Sequence, residues 1–142
     1  HLEVWKMSSA SSSSFGSRRE DRETALGILY SAETQGRESL ELLNEQPVKA
    51  ESYVYELISG VTEKLEVIDS LLEKNADEWR LERMPVIDRA VLRIAVLELI
   101  TFPETSIATV INEAVEIVGE YSTEKSKRFV NGLLSEIADQ VR

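Results

Sequence analysis

Three arginines cluster at the start of the first segment with helical periodicity. Arg18, Arg19 and Arg22 lie close together, and Arg18 and Arg22 are spaced to share one face of a helix. Like charges at this spacing destabilise a helix slightly, and the helix dipole disfavours cations at an N-terminus. Because arginine binds phosphate through two parallel N–H groups, this pattern favours an anionic partner. The alternative is a solvated surface on which neighbours such as Glu20 and Asp21 neutralise the arginines.

Two further basic groups follow along the chain. Arg89 and Arg93 repeat the same helical spacing within an apolar segment. A third group, Lys125, Lys127 and Arg128, directly precedes Phe129. Basic residues beside an aromatic ring can hold a nucleic-acid backbone while a base stacks on the ring. The alternatives are surface ion pairs for the arginines and a place in the core for the aromatic ring.

The composition removes most catalytic chemistry. The chain has 142 residues, no cysteine and a single histidine, His1. It therefore has no disulfide, no thiolate metal site, no cysteine nucleophile and no internal imidazole for a catalytic triad. The carboxylates show no spacing typical of a metal cage or a glycosidase pair, and the glycines form no phosphate-binding loop. We therefore expect a binding protein that is not an enzyme and that needs neither a cofactor nor a metal.

The charge balance limits how such a protein could bind nucleic acid. The formal net charge is −10, so the whole molecule is repelled by a polyanion at long range. Contact with RNA must therefore come from a local basic patch.

The sequence contains no candidate membrane span. No run of about 18 apolar residues exists, since the densest stretch, residues 86–100, is interrupted by charged residues. We expect residues 1–17 to be a flexible Ser-rich leader, in which Met7 could be the true start and residues 1–6 a cloning remnant. An organellar transit peptide is a weaker interpretation because Lys6 is the only basic residue before Arg18. The lack of cysteine fits a cytoplasmic location.

The apolar periodicity is helical throughout and predicts an all-α protein of about seven helices. The first helix should begin near Arg18 and end at Gly36. A long helix is expected from Val54 to Leu72, and residues 86–100, apolar on nearly every side, should form a central helix surrounded by others. The pattern is interrupted around residues 75–78.

This interruption indicates a boundary between two helical halves, with sub-bundles of about 18–78 and 79–142. A brief turn of helix is expected around Trp79 and Leu81, and Pro85 starts the next helix. Thr105 or Ser106 should cap the helix after the central one.

Three strings carry more information than periodicity. They are Arg18–Arg19 with Arg22–Glu23 before Ala25–Leu26 and Leu29–Tyr30; Asp88–Arg89–Ala90–Val91–Leu92–Arg93–Ile94–Ala95 with Glu98–Leu99; and Ile111–Asn112–Glu113–Ala114–Val115 followed by Phe129–Val130–Asn131–Gly132. In this order and spacing they resemble the NusB family of transcription antitermination factors. The resemblance extends from about Ser17 to the C-terminus.

The resemblance implies a single NusB-like domain over residues 18–142, with an all-α fold of two packed helical bundles. It implies binding to the boxA element of ribosomal RNA leader transcripts. The implied protein partner is NusE, a small-subunit ribosomal protein, and the pair would act within an antitermination complex on RNA polymerase. A role in ribosomal RNA maturation goes with this function.

The resemblance also implies which residues bind. The RNA-binding set, with Lys127 added from the third basic group, is Arg18, Arg19, Arg22, Arg89, Arg93, Lys127 and Phe129. The residues implied on the NusE side are Tyr30, Glu82 and Asp88. Glu20 and Asp21 stand where many relatives are more basic, so RNA binding is expected to depend on the partner.

Two other functions remain open at this point. The first is a protein-interaction module or homodimer that masks the basic surface and has little RNA affinity of its own. The second is an accessory domain like the one that precedes the catalytic domain in some ribosomal RNA cytosine methyltransferases, which is disfavoured because no methyl-donor fold follows Arg142.

Overall fold

The structure, a computed structural model, describes residues 17–76 and 80–142. In these ranges it contains seven α-helices, one 3₁₀-helix and no strand. The α-helices are α1 Arg18–Gln35, α2 Ser39–Asn44, α3 Ser52–Glu63, α4 Leu65–Asn75, α5 Val86–Thr101, α6 Ile107–Tyr121 and α7 Glu124–Val141, and the 3₁₀-helix is Leu81–Arg83. The expected all-α class is confirmed. The leader up to residue 16 and the turn at Trp79 lie outside the described residues.

The structure divides the chain into two compact units between Glu63 and Lys64, whereas the apolar pattern indicated a boundary near residue 78. The long helix expected from Val54 to Leu72 is two helices, because Lys64 leaves helical geometry with φ −106° and ψ 20°. In the first unit α3 packs on α1 and α2, and in the second unit α4 packs on α5 and α7. One continuous apolar stripe therefore packs into two separate cores. Because the helical periodicity of the sequence continues past Lys64, it did not show that the helix ends there.

In the first unit, α1 has well-defined ends. The Ser17 hydroxyl accepts a hydrogen bond from the Glu20 backbone N–H at 3.1 Å, which caps the N-terminus. Gly36 ends the helix with φ 65°, a left-handed conformation that glycine adopts without steric cost. The C-terminal cap expected at Gly36 is therefore confirmed.

Charged residues near the start of α1 are buried. Asp21, Arg22 and Glu23 are 4%, 4% and 8% exposed, so this turn is not the solvated surface that the charge pattern allowed. Burial raises the pKa of Asp21, and the neighbouring Arg18 only partly opposes this effect. Ionised Asp21 therefore costs folding free energy, which the surrounding packing must offset.

In the second unit, α5 is the central helix, as the sequence predicted. It packs against α4, α6 and α7, and residues such as Leu92, Val96 and Leu97 are completely buried. Ser106 caps α6 by accepting from the Thr109 N–H at 3.1 Å, which settles the choice between Thr105 and Ser106. None of the helices in the described ranges is long and apolar enough to cross a membrane.

The C-terminal end of α5 is capped by a side chain from beyond α7. Arg142 donates to the carbonyl oxygens of Glu98, Leu99, Phe102 and Thr105 at 3.0, 2.9, 2.9 and 2.6 Å. The last carbonyls of a helix have no intrahelical donor, and the helix dipole favours a cation there. Arg142 thus satisfies backbone acceptors and fixes the end of α7 against α5.

Replacing Arg142 by alanine is expected to lower the free energy of unfolding by about 1–2 kcal/mol, because several hydrogen bonds from a charged donor are lost. Urea unfolding followed by circular dichroism measures this change. Arg142→Lys is the matched control, which keeps the charge near the dipole but not the planar fork and should lose less. An alanine variant as stable as the wild type would contradict the capping role.

Asp21→Asn is expected to stabilise the protein at pH 7, because the neutral amide avoids burying a charge. The pKa of Asp21 in the folded protein lies above the ordinary value for an aspartate, so the wild type regains stability as pH falls through that raised pKa. The advantage of the variant should therefore shrink on acidification. Urea unfolding at several pH values and constant ionic strength tests this, with Glu56→Gln on the exposed side of α3 controlling for the loss of one charge.

Candidate nucleic-acid interface

The arginines at the start of α1 are not equally accessible. The Arg18 side chain is 62% exposed, and its guanidinium carbon lies 3.8 Å from the centroid of the Tyr53 ring. Arg19 is half-buried, and Arg22 is buried at 4% exposure. Because every residue of α1 from Asp21 to Ile28 is buried, Arg22 lies in the interior although Arg18, one helical turn before it, is exposed to solvent. Arg18 and Arg19 are therefore the members of this cluster that reach solvent.

Arg89 binds the backbone of its own unit. Its Nη1 donates to the carbonyl oxygens of Leu81 and Met84 at 2.9 and 3.1 Å. These bonds tie the 3₁₀-helix to the first turn of α5. The guanidinium of Arg89 therefore has a structural role at the entrance to the central helix.

Arg93 binds a carboxylate on the neighbouring helix. Its Nε and Nη2 each donate to Asp69 of α4 at 2.9 Å, a bidentate pair in which the two side chains are 18% and 21% exposed. The sequence did not single out Asp69, because the helical pattern does not show which helix packs against Arg93.

A groove of about 550 Å³ lies where the N-terminal ends of α5 and α7 meet. Basic side chains and an aromatic ring surround it, with a carboxylate and a hydroxyl between them. Its lining residues include Arg83, Asp88, Lys125, Ser126, Arg128 and Phe129. Positive charge and an aromatic surface therefore meet in one concave region of an otherwise acidic protein.

A buried hydrogen bond joins the two helices beside this groove. The Ser126 hydroxyl donates to Oδ2 of Asp88 at 2.6 Å, and Thr123 caps α7 by accepting from the Ser126 N–H at 3.1 Å. Asp88 is 2% exposed, and its Oδ1 has no hydrogen-bond partner among the described residues. Asp88, which the resemblance assigned to the protein partner, thus lies buried and fixes the first turn of α7.

The third basic group divides between two sides of α7. Lys125 and Arg128 line the groove together with Phe129. The Lys127 side chain instead packs over Gly119 of α6, where a Cβ atom would lie 2.8 Å from its Cδ. Its Nζ lies 3.7 Å from Oε1 of Glu124. The helical spacing alone predicts this division, because positions 125, 128 and 129 share one face of a helix and position 127 lies on another.

The remaining partner-side residues are more accessible than Asp88. Tyr30 is half-buried on α1 in the first unit, and Glu82 is exposed on the 3₁₀-helix in the second. Among the described residues, no group of three or more metal-ligating side chains is close enough to hold a metal ion.

Known proteins resemble this chain over most of its length. The NusB family model matches residues 19–139. A transcription antitermination protein NusB from Salinispora tropica is 40% identical over 129 residues, which are 86% of this chain and 95% of that protein.

Solved structures agree with this match. NusB of T. maritima superposes with a TM-score of 0.78 at 35% identity, covering 87% of this chain and 92% of that one. A crystal structure of the antitermination factors NusB and NusE in complex with dsRNA superposes with a TM-score of 0.76 at 31% identity, covering 87% and 96%.

The family explains the absence of catalytic machinery noted in the sequence. Its named members are transcription antitermination factors, which confirms the expectation that the protein is not an enzyme. The resemblance in the three sequence strings, the all-helical fold and the extent of the match agree, and the chain belongs to the NusB family.

Proposed function

We propose that this protein binds the boxA RNA of ribosomal RNA leader transcripts together with NusE, and so keeps RNA polymerase elongating through ribosomal RNA operons. The observation that carries the proposal is the basic and aromatic groove between the N-terminal ends of α5 and α7. A role in maturation of the same RNA, and action in the cytoplasm, belong to the proposal. The relative solved with NusE and dsRNA supports it.

The groove has the chemistry that single-stranded RNA requires. Lys125 and Arg128 can neutralise backbone phosphates, while the half-buried ring of Phe129 offers a surface on which a base can stack. The groove volume of about 550 Å³ is in the range of sites that enclose small organic groups. In a protein with a net charge of −10, such a local cluster is the means by which RNA can be held.

The exposed start of α1 supplies a second contact in this proposal. Arg18 and Arg19 would bind phosphates directly, since both reach solvent. Arg22, Arg89 and Arg93 would act behind the contact surface, because burial or hydrogen bonds to the protein hold their guanidinium groups in place. Substituting one of these three arginines would then weaken RNA binding indirectly, by changing the structure of the unit that presents the contact residues.

NusE has a specific task in this proposal. The acidic balance of the chain weakens RNA binding electrostatically, so a partner that brings positive charge raises the affinity of the complex. Tyr30 and Glu82 are accessible enough to contact the partner. Asp88 would support that surface through Ser126 instead of touching the partner itself.

A titration with boxA RNA in the presence and absence of NusE tests the proposal. Wild-type protein should bind boxA more tightly with NusE. The double variant Arg18→Ala, Arg19→Ala should bind at least about tenfold more weakly, and its salt-dependence slope should fall by about 1.4, as expected for two lost phosphate contacts to single-stranded RNA. Arg80→Ala, at an exposed position before the 3₁₀-helix, is the matched control.

Unchanged affinity and slope in the double variant would contradict the arginine assignment. A stable wild-type dimer with no boxA affinity, seen by light scattering and filter binding, would favour the protein-interaction alternative instead.

Phe129→Leu tests the groove, because it keeps an apolar side chain but removes the ring. If a base stacks on Phe129, boxA affinity should fall by about tenfold, within the range for loss of one base stack. Fluorescence anisotropy with labelled RNA measures this change, and Phe102→Leu at the end of α5, outside the groove, is its control.

Two lysines on the same helix provide a further comparison. Lys125→Ala should weaken binding, whereas Lys127→Ala, whose side chain packs on α6, should leave it nearly unchanged. Equal effects of the two substitutions would show that total charge, and not the groove, controls binding.

A further inference from the structure

The guanidinium group of Arg18 lies over the ring of Tyr53, a residue in the first turn of α3. The guanidinium carbon lies 3.8 Å from the ring centroid, a stacking distance at which a cation is attracted to the aromatic face. Tyr53 is 5% exposed, whereas 62% of the Arg18 side chain remains accessible. The ring is thus a buried support beneath a cation that is open to solvent.

Asp21 restrains the same guanidinium group at its edge. Nη1 of Arg18 lies 3.6 Å from Oδ2 of Asp21, whose side chain is 6% exposed. Both supports are fixed by packing, since α1 and α3 contact each other along the core of the first unit. The Arg18 guanidinium therefore contacts Tyr53 through its face and Asp21 through its edge. Both of these side chains are buried, so they have little freedom to move.

Such a restraint matters for binding because a free surface arginine samples many rotamers. Contact with a phosphate selects few of these rotamers, and the lost freedom opposes association. A guanidinium that already lies over an aromatic ring has lost part of this freedom before the phosphate arrives. The stacking also leaves N–H groups at the edge of the guanidinium, where they suit paired hydrogen bonds to phosphate oxygens.

We infer that Tyr53 is a positioning residue for RNA binding, which orients Arg18 toward a backbone phosphate without contacting the RNA itself. The inference rests on the proposed function, because it assigns Arg18 a phosphate contact. It adds a residue that neither the arginine cluster nor the basic groove contains. It also explains how Arg18, in an acidic neighbourhood beside Glu20 and Asp21, can still present its charge outward.

A double-mutant cycle on boxA binding with NusE present tests the inference. Tyr53→Leu should weaken binding about two- to fivefold, as expected for loss of a solvent-exposed cation–π contact. Tyr53→Phe, which keeps the ring and removes only the hydroxyl, should bind within about twofold of the wild type. In the Arg18→Ala background, Tyr53→Leu should cause no further loss.

The salt dependence separates positioning from direct contact. Arg18→Ala should reduce the slope of log affinity against log salt by about 0.7, the value for one phosphate contact on single strands. Tyr53→Leu should leave that slope unchanged, because the number of phosphate contacts is the same. A fall in slope, or a loss of equal size with and without Arg18, would overturn the inference.

A measurement on the wild type keeps the inference testable even if Tyr53→Leu does not fold. The ¹⁵Nε–¹H heteronuclear NOE of Arg18 should be clearly higher than that of Arg80, an exposed arginine of the same chain. Equal values would show that Arg18 is not held and would overturn the inference.

The failures of the inference and of the proposed function differ in their results. If wild-type protein with NusE does not bind boxA RNA, the proposed function fails and the inference fails with it. If the wild type binds and Arg18→Ala weakens binding, but Tyr53→Leu does not, the function stands and only the positioning role is overturned.

Discussion

A helix that is surrounded by other helices finds few water partners for its polar groups, and three arginines supply much of the hydrogen bonding around α5. Arg142 binds the carbonyl oxygens at its C-terminal end. Arg93 pairs with Asp69 across to α4, and Arg89 binds carbonyl oxygens just before the helix begins. Each arginine lets a polar or charged group remain inside the unit. These contacts connect α4 and the 3₁₀-helix to α5, and they hold the residue after α7 against its C-terminal end.

This requirement also determines which basic residues remain for binding. Arginines that bind the protein's own backbone and carboxylates cannot offer the same N–H groups to a phosphate. The accessible positive charge that we propose for binding lies near helix N-termini, on Arg18 of α1 and on Lys125 and Arg128 of α7. The helix dipole disfavours a cation in the first turn of a helix, so placing Arg18 and Lys125 there lowers the stability of the fold slightly. Such a cost is typical of positions at which binding matters more than stability.

The groove beside α7 depends on a single buried pair. The hydrogen bond from Ser126 to Asp88 fixes the first turn of α7 against the first turn of α5, and this fixes where Phe129 and its basic neighbours lie. A buried carboxylate in this position is costly unless it is hydrogen-bonded. The same hydrogen bond therefore sets the shape of the groove that we propose for RNA.

The sequence by itself determined the all-helical class, the ends of α1 and α5, the central place of α5 and the family. These follow from local causes: a 3.6-residue apolar period, a left-handed glycine at Gly36 and motifs read directly from the chain. Only the tertiary structure showed the break at Lys64, the burial of Arg22 and the stacking of Arg18 on Tyr53. Each of these depends on which helix packs against which, and a helical period specifies a buried face but not the neighbour that buries it.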